Sequence, residues 1–329
     1  MPRGKDDHII VDMQGTHTPF FERGKLCMWQ VMIVVEVLIY SSYSVMIHMC
    51  KVDGRIPFRS SSVVFLVEMI KLLISVNFLL VEVQKQDVQL PKLTLSFCLP
   101  FAFPAVLYFI NNNIAIHAQG YMDSTTYQVL SNMKIVTTSL LYRLIIKRVL
   151  KKAQWIAVGI LTLAGTLDSY GGYVSSSIIT SSEVFVTAPG LFLMFVYSML
   201  SGLSSVYSEY VLKRNMEVTL HFQNVLMYIY GATLNGITWF IQTQSDDFGG
   251  LLHGFSMYTW MIVLSQVGNG LFMSVIIKYG SSMTRLFVLT SAMPVSTLLT
   301  VIFLNTQLTI YFITSVGLVV VALIQYHKH

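Results

Sequence analysis

The chain has 329 residues, 54% of them apolar and only 11% charged, with a formal net charge of +5. A soluble domain carries about 25% charged residues, and a mean hydropathy of +0.64 is too apolar for a surface that faces water. Disorder needs low hydrophobicity and high charge, and three Cys are too sparse for a disulfide scaffold, so what remains is an integral membrane protein that crosses the bilayer many times.

Residues 1–25 are polar and are expected to form a disordered cytosolic tail. Asp6 and Asp7 stand where a cleavable signal would be basic, and no apolar stretch follows closely. A spanning helix needs about 20 mostly apolar residues. Ten windows qualify, at 26–50, 60–82, 93–118, 124–146, 153–171, 187–212, 221–242, 257–279, 281–304 and 308–326. Their lengths far exceed the ~10-residue alternating segments of a barrel, and open sheets cannot span lipid. The expected fold class is therefore all-α integral membrane, with a transporter domain over 26–326 and a short cytosolic end at 327–329.

The cations set the orientation. Sixteen of the 21 Lys and Arg fall on one side: Arg3, Lys5, Arg23, Lys25, Lys85, Lys92, Arg143, Lys147, Arg148, Lys151, Lys152, Lys213, Arg214, Lys278, Arg285 and Lys328. Three, Lys51, Arg55 and Arg59, share one loop on the other side. The positive-inside bias then puts both termini in the cytosol. Lys71 and Lys134 lie inside spans. Cys27, Cys50 and Cys98 show no metal or redox spacing and read as small apolar fillers.

An ionisable side chain near the bilayer centre costs about 2.5–3.5 kcal/mol on insertion scales, so each needs a partner, a wet cavity or a function. In span two, Glu68 and Lys71 are one turn apart and can pair along the helix, which lowers the penalty without binding anything. In span three, Tyr108 precedes the amide run Asn111, Asn112 and Asn113, which suits the edge of a nucleobase or sugar hydroxyls but is also ordinary interhelical glue. In span four, Tyr127, Ser131, Lys134 and Thr138 share one helical face, the kind a solvent-filled pathway wants. The plainer alternative is that Lys134 pairs with Glu36 or Glu68 to hold helices together. Ser201, Gly202, Ser204, Ser205, Gly268 and Gly270 allow close helix approach in spans six and eight. Span seven offers Gln223, Asn224, Tyr228 and Tyr230. Span eight ends at Lys278 and turns straight into span nine, where Ser282 is positioned to cap the helix. A lysine beside such a terminus reads as a phosphate clamp, or as a snorkelling span-end lysine.

Ten spans divide into five plus five, 26–171 and 187–326. An odd number per half inverts one half against the other, the plan of many transporters. Tyr121, Ser124 and Thr126 recur at a constant offset as Tyr279, Ser282 and Thr284, and Leu140, Leu141 and Leu150 as Leu298, Leu299 and Leu308. Intramembrane cations, several Tyr and a set of amides describe an anion with an aromatic ring and hydroxyls. On these grounds alone the chain reads as a carrier for an organic anion.

The stretch YMDSTTYQVLSNMKIVTTSLLYRLIIKRVLKKAQW resembles the span-four signature of nucleotide-sugar transporters of solute carrier family 35, subfamily A, in the branch with the CMP-sialic acid and UDP-galactose carriers. LYFINNNIAIHAQ, VEMIKLLIS, SVYSEYVLKRN, QNVLMYIYG and NGLFMSVIIKYGSS match it too, from span one to span ten. The resemblance implies a ten-helix drug/metabolite-transporter fold in the Golgi membrane. It also implies antiport of a cytosolic pyrimidine nucleotide-sugar (a UDP-sugar, CMP-sugar or CDP-alditol) for lumenal nucleoside monophosphate. By motif, Tyr108, Asn111, Asn112, Tyr127, Lys134, Lys71, Asn224, Tyr228 and Lys278 fall at binding positions, with Lys278 as the phosphate contact. Ser282 sits beside it, and Glu68 supplies a supporting charge. Asn111, Tyr230 and Asn269 depart from the CMP-sialic acid carrier, so base and sugar choice do not transfer. No cofactor, metal or nucleic acid is expected. The partners are the solutes, the bilayer, and a second copy or another transporter of the family. A different class of function, a membrane scaffold or regulator that keeps the fold without transporting, stays open. An intramembrane enzyme finds little support: HExxH is lacking, and His48 and His117 stand alone near span ends.

Overall fold

The computed structural model describes residues 19–50, 56–85, 91–118, 121–122, 124–177, 187–245, 250–304 and 310–327. They form eleven α-helices and no β-strand: α1 (Pro19–Met49), α2 (Ser60–Gln84), α3 (Leu95–Ala118), α4 (Ser124–Ser131), α5 (Met133–Ile145), α6 (Lys152–Ser177), α7 (Ala188–Arg214), α8 (Leu220–Ser245), α9 (Met257–Tyr279), α10 (Ser282–Leu304) and α11 (Ile310–His327). Among the described residues, six stretches are long and apolar enough to cross a membrane: Cys27–Met49, Ser60–Gln84, Leu95–Ala115, Ala188–Arg214, Met257–Tyr279 and Ser282–Phe303. The chain divides into two compact units, Met1–Val35 and Glu36–His329. The first contains the N-terminal part of α1, where Met28, Val31 and Val34 are exposed. The second contains the rest of α1 and every other helix.

Of the expected tail, 1–18 lies outside the described residues, and 19–25 is helical. The cations Lys51 and Arg55 also lie outside the described residues.

The expected single helix of span four is two helices. Asn132 breaks it, donating its side-chain amide to the Gln128 carbonyl at 3.1 Å and to Ser169 Oγ on α6 at 3.2 Å. Around it the backbone tightens to three-residue bonds, Asn132 N–H to Val129 and Ile135 N–H to Asn132. An Asn side chain that bonds its own helix competes with the helical ladder. The shared face of Tyr127, Ser131, Lys134 and Thr138 thus runs across a break.

Several helix ends carry their own signals. Thr187 accepts from Gly190 N–H at 3.2 Å to start α7, and Ser256 and Thr259 form a reciprocal capping box at the start of α9. At α10 the cap is Ser281, whose Oγ accepts from Thr284 N–H at 3.1 Å. Ser282, expected as the cap, is the first helical residue. Gly254, at φ +73°, lets the loop before α9 pass the Pro57 carbonyl.

In the second unit, α6 packs on α11, α2 on α8 and α9, and α3 on α7 and α8, while α5 lies on α7. Gly202 of α7 brings its backbone against α5, where an added Cβ would stand 3.0 Å from Thr138 N. Asp168 of α6, half-buried between helices, accepts from Thr297 of α10 and Ser315 of α11 at 3.3 Å. Apolar side chains such as Leu73, Phe78, Phe192 and Ile241 face outward, while Ser, Thr and Asn are prominent among the buried residues. That is the distribution of a protein whose solvent is lipid.

Candidate functional site

A cavity of about 310 Å³ lies among α2, α3, α7, α8, α9 and α10. Its charged lining is Glu68 and Lys71 from α2 and Arg285 from α10. Aromatic rings come from Tyr108 and Phe109 of α3 and Tyr228 of α8, and amides from Asn112, Asn235, Gln266 and Asn269.

The α2 charges are three residues apart, so the helix places them one above the other. The Lys71 ammonium donates to Glu68 Oε1 at 2.6 Å and stands over the Tyr228 ring at 4.4 Å. Two glycines from other helices make room for this pair. A Cβ on Gly270 would lie 2.6 Å from Lys71 Cδ, and one on Gly231 would lie 2.9 Å from Glu68 Oε2. The small residues of α8 and α9 therefore admit charged side chains as well as helices.

On the α3 side, Tyr108 accepts from Arg285 Nη1 at 2.8 Å, and the guanidinium sits 5.8 Å from the tyrosine ring centre. Asn112 is exposed to the cavity, whereas Asn111 is buried with its Oδ1 unpartnered among the described residues. Asn113 turns back to the Phe109 carbonyl at 2.8 Å. Asn224 lies behind the lining, donating to Ser274 Oγ at 2.9 Å. Asn269 presents a buried Oδ1 with no hydrogen-bond partner among the described residues.

The remaining sequence candidates do not line this cavity. Tyr127 packs against Tyr197, ring centres 6.1 Å apart, beside Met122 and Met194. Lys134 is half-buried, and its ammonium makes no hydrogen bond or ion pair among the described residues. Neither carboxylate weighed as its partner takes that role: Glu68 holds Lys71, and both Glu36 oxygens are buried without a hydrogen-bond partner among the described residues. Lys278 is 2% exposed and donates to the Val218 carbonyl at 2.6 Å, tying the end of α9 to the α7–α8 turn. Ser282 gives its N–H to Glu209 Oε2 at 2.6 Å and its hydroxyl to the Ser205 carbonyl at 3.1 Å. The helix start expected to attract an external anion is already served by an internal carboxylate.

Arg285 is the charged lining residue that sequence reasoning left among the topology cations. Its place in the first turn of span nine was legible; its reach to Tyr108, far away in sequence, was not. Gln266 and Asn235 carried no motif.

Residues 25–327 match the family described as nucleotide-sugar transporter. Among similar proteins, the "Probable UDP-sugar transporter protein SLC35A4" of Xenopus tropicalis is 40% identical over 94% of this chain and 95% of its own. Its namesakes in Sus scrofa and Homo sapiens are 41% and 38% identical, over 91% and 94% of this chain and 94% and 97% of theirs. A solved crystal structure superposes with a TM-score of 0.65 at 14% identity, covering 90% of this chain and 96% of its own, a likeness of fold.

Proposed function

Because the chain belongs to the nucleotide-sugar transporter family, we propose that it exchanges a cytosolic pyrimidine nucleotide-sugar for lumenal nucleoside monophosphate across the Golgi membrane, by alternating access and with both termini cytosolic. The solute is a UDP-sugar, a CMP-sugar or a CDP-alditol. The family is one of transporters, not enzymes.

The observation that carries this reading is the cavity, where α2 and α3 meet α7 to α10 and where charge, rings and amides converge. A carrier binds its solute between parts that move against each other. The ten spans are then α1, α2, α3, the broken pair α4–α5, and α6 to α11. Support for two inverted five-span halves comes from the packing pattern. If the halves exchange, α2 swaps with α8 and α6 with α11, and each of those pairs packs on itself. The contact of α2 with α9 becomes that of α8 with α3, which is also made.

Within the cavity, Tyr108 and Tyr228 offer ring faces, and Asn112 offers both donor and acceptor to a base or ribose edge. At about 310 Å³ the space is at the small end of the range for ligand pockets. A nucleotide-sugar therefore needs the cavity to open on one side, as alternating access supplies. Tyr127, Lys134, Lys278 and Ser282 join the site only in another conformation of the carrier.

The test is a thermal-shift screen of the full chain in detergent against UMP, UDP, CMP, CDP and AMP. A ligand bound only by the folded state raises stability with its concentration. The pyrimidine nucleotides are expected to raise the melting temperature and AMP is not. Indifference to all five would favour a scaffold that keeps the fold without carrying a solute.

A further inference from the structure

Lys71 and Arg285 are the two cations of the cavity lining, and they differ in what already holds them. Lys71 is neutralised by Glu68 at 2.6 Å and covered by the Tyr228 ring. Arg285 has a neutral partner, the Tyr108 hydroxyl, on one nitrogen. Its Nε is buried and bonds to nothing among the described residues. With Glu68 and Lys71 cancelling, the lining keeps one net positive charge, and it sits on Arg285.

A guanidinium presents its N–H donors as a planar fork that matches the paired oxygens of a phosphate or carboxylate. A buried donor left unbonded is costly, so the Nε edge is short of an acceptor.

On the reading that the cavity takes a nucleotide-sugar, we propose that Arg285 is its phosphate-binding cation. The Nε edge receives a phosphoryl group, and Tyr108 fixes the other edge. Lys278, whose ammonium is committed to Val218 in this conformation, does not fill that role here.

The experiment is calorimetric titration of the purified full chain with uridine, UMP and UDP, and with cytidine, CMP and CDP. The wild type is expected to bind the nucleotides of one series at least about tenfold more tightly than the nucleoside. Arg285→Gln closes that gap and leaves nucleoside binding in place, and Arg285→Lys restores part of it. A gap that survives at its wild-type size in Arg285→Gln overturns the proposal. Should Arg285→Gln fail to fold, Arg285→Lys decides it by the same measure: a narrowed gap with nucleoside binding in place supports the assignment, and a gap left at its wild-type size overturns it. A wild type that binds none of the six ligands sinks the underlying reading of the cavity instead.

Discussion

The Glu209 carboxylate accepts the Ser282 N–H at 2.6 Å from a fully buried position. Its second oxygen takes the Lys213 ammonium at 2.8 Å, and that ammonium also donates to the Gly280 carbonyl at 2.6 Å. The C-terminal turns of α7 thereby clamp the α9–α10 turn. Glu209→Ala leaves a helix N–H and an ammonium without their acceptor and is expected to cost about 3 kcal/mol. Glu209→Gln keeps one acceptor and costs less. Differential scanning fluorimetry in detergent reads both, and an unchanged melting temperature in the alanine variant would remove the clamp from the structure's supports.

Gly270 and Gly231 predict a loss of binding that exceeds their loss of stability. A methyl at Gly270 meets Lys71 Cδ at 2.6 Å, and one at Gly231 meets Glu68 Oε2 at 2.9 Å. Both obstacles are side chains that can swing, so the fold adapts while the ion pair leaves its place over Tyr228. Gly159→Ala on α6, with nothing within 4 Å of the added carbon, is the control, and should stabilise by about 1 kcal/mol. Nucleotide affinity falling in Gly159→Ala as much as in Gly270→Ala would show that the pair's position does not matter.

Gly254 has no such latitude. Its φ is +73°, and an added Cβ would lie 1.9 Å from the Pro57 carbonyl oxygen, which is backbone and cannot swing aside. Gly254→Ala is expected to destabilise by more than about 2 kcal/mol and to reduce the yield of folded protein. Size-exclusion profiles in detergent check this, and a wild-type profile and melting curve would contradict it.

What could be read from the sequence follows from where each cause resides. The all-helical, apolar character was legible because a bilayer demands it, and the Glu68–Lys71 pair because three residues on a helix fix it. The break in span four was not, since whether the Asn132 amide turns onto Gln128 depends on Ser169 arriving from α6. Arg285 was counted correctly as a cation, but its meeting with Tyr108 depends on α3 and α10 packing across the chain. Glu209, in the matched stretch SVYSEYVLKRN, carried no sign of the backbone N–H it would serve.

Lys134, on the polar face of span four, and Lys278, at the end of span eight, have different surroundings. Lys278 is buried and gives the Val218 carbonyl a charged donor, so Lys278→Ala orphans a carbonyl and should cost about 2 kcal/mol of stability. Lys134 is half-buried with no bond from its ammonium among the described residues, so Lys134→Ala should shift stability by no more than about 0.5 kcal/mol. If the Lys134 ammonium is held in reserve for the solute, that same variant abolishes exchange in proteoliposomes while the protein still reaches its membrane. Exchange and melting are therefore measured on both variants. Full exchange by Lys134→Ala would take Lys134 out of the site. Equal losses of melting temperature in the two variants would make both lysines structural.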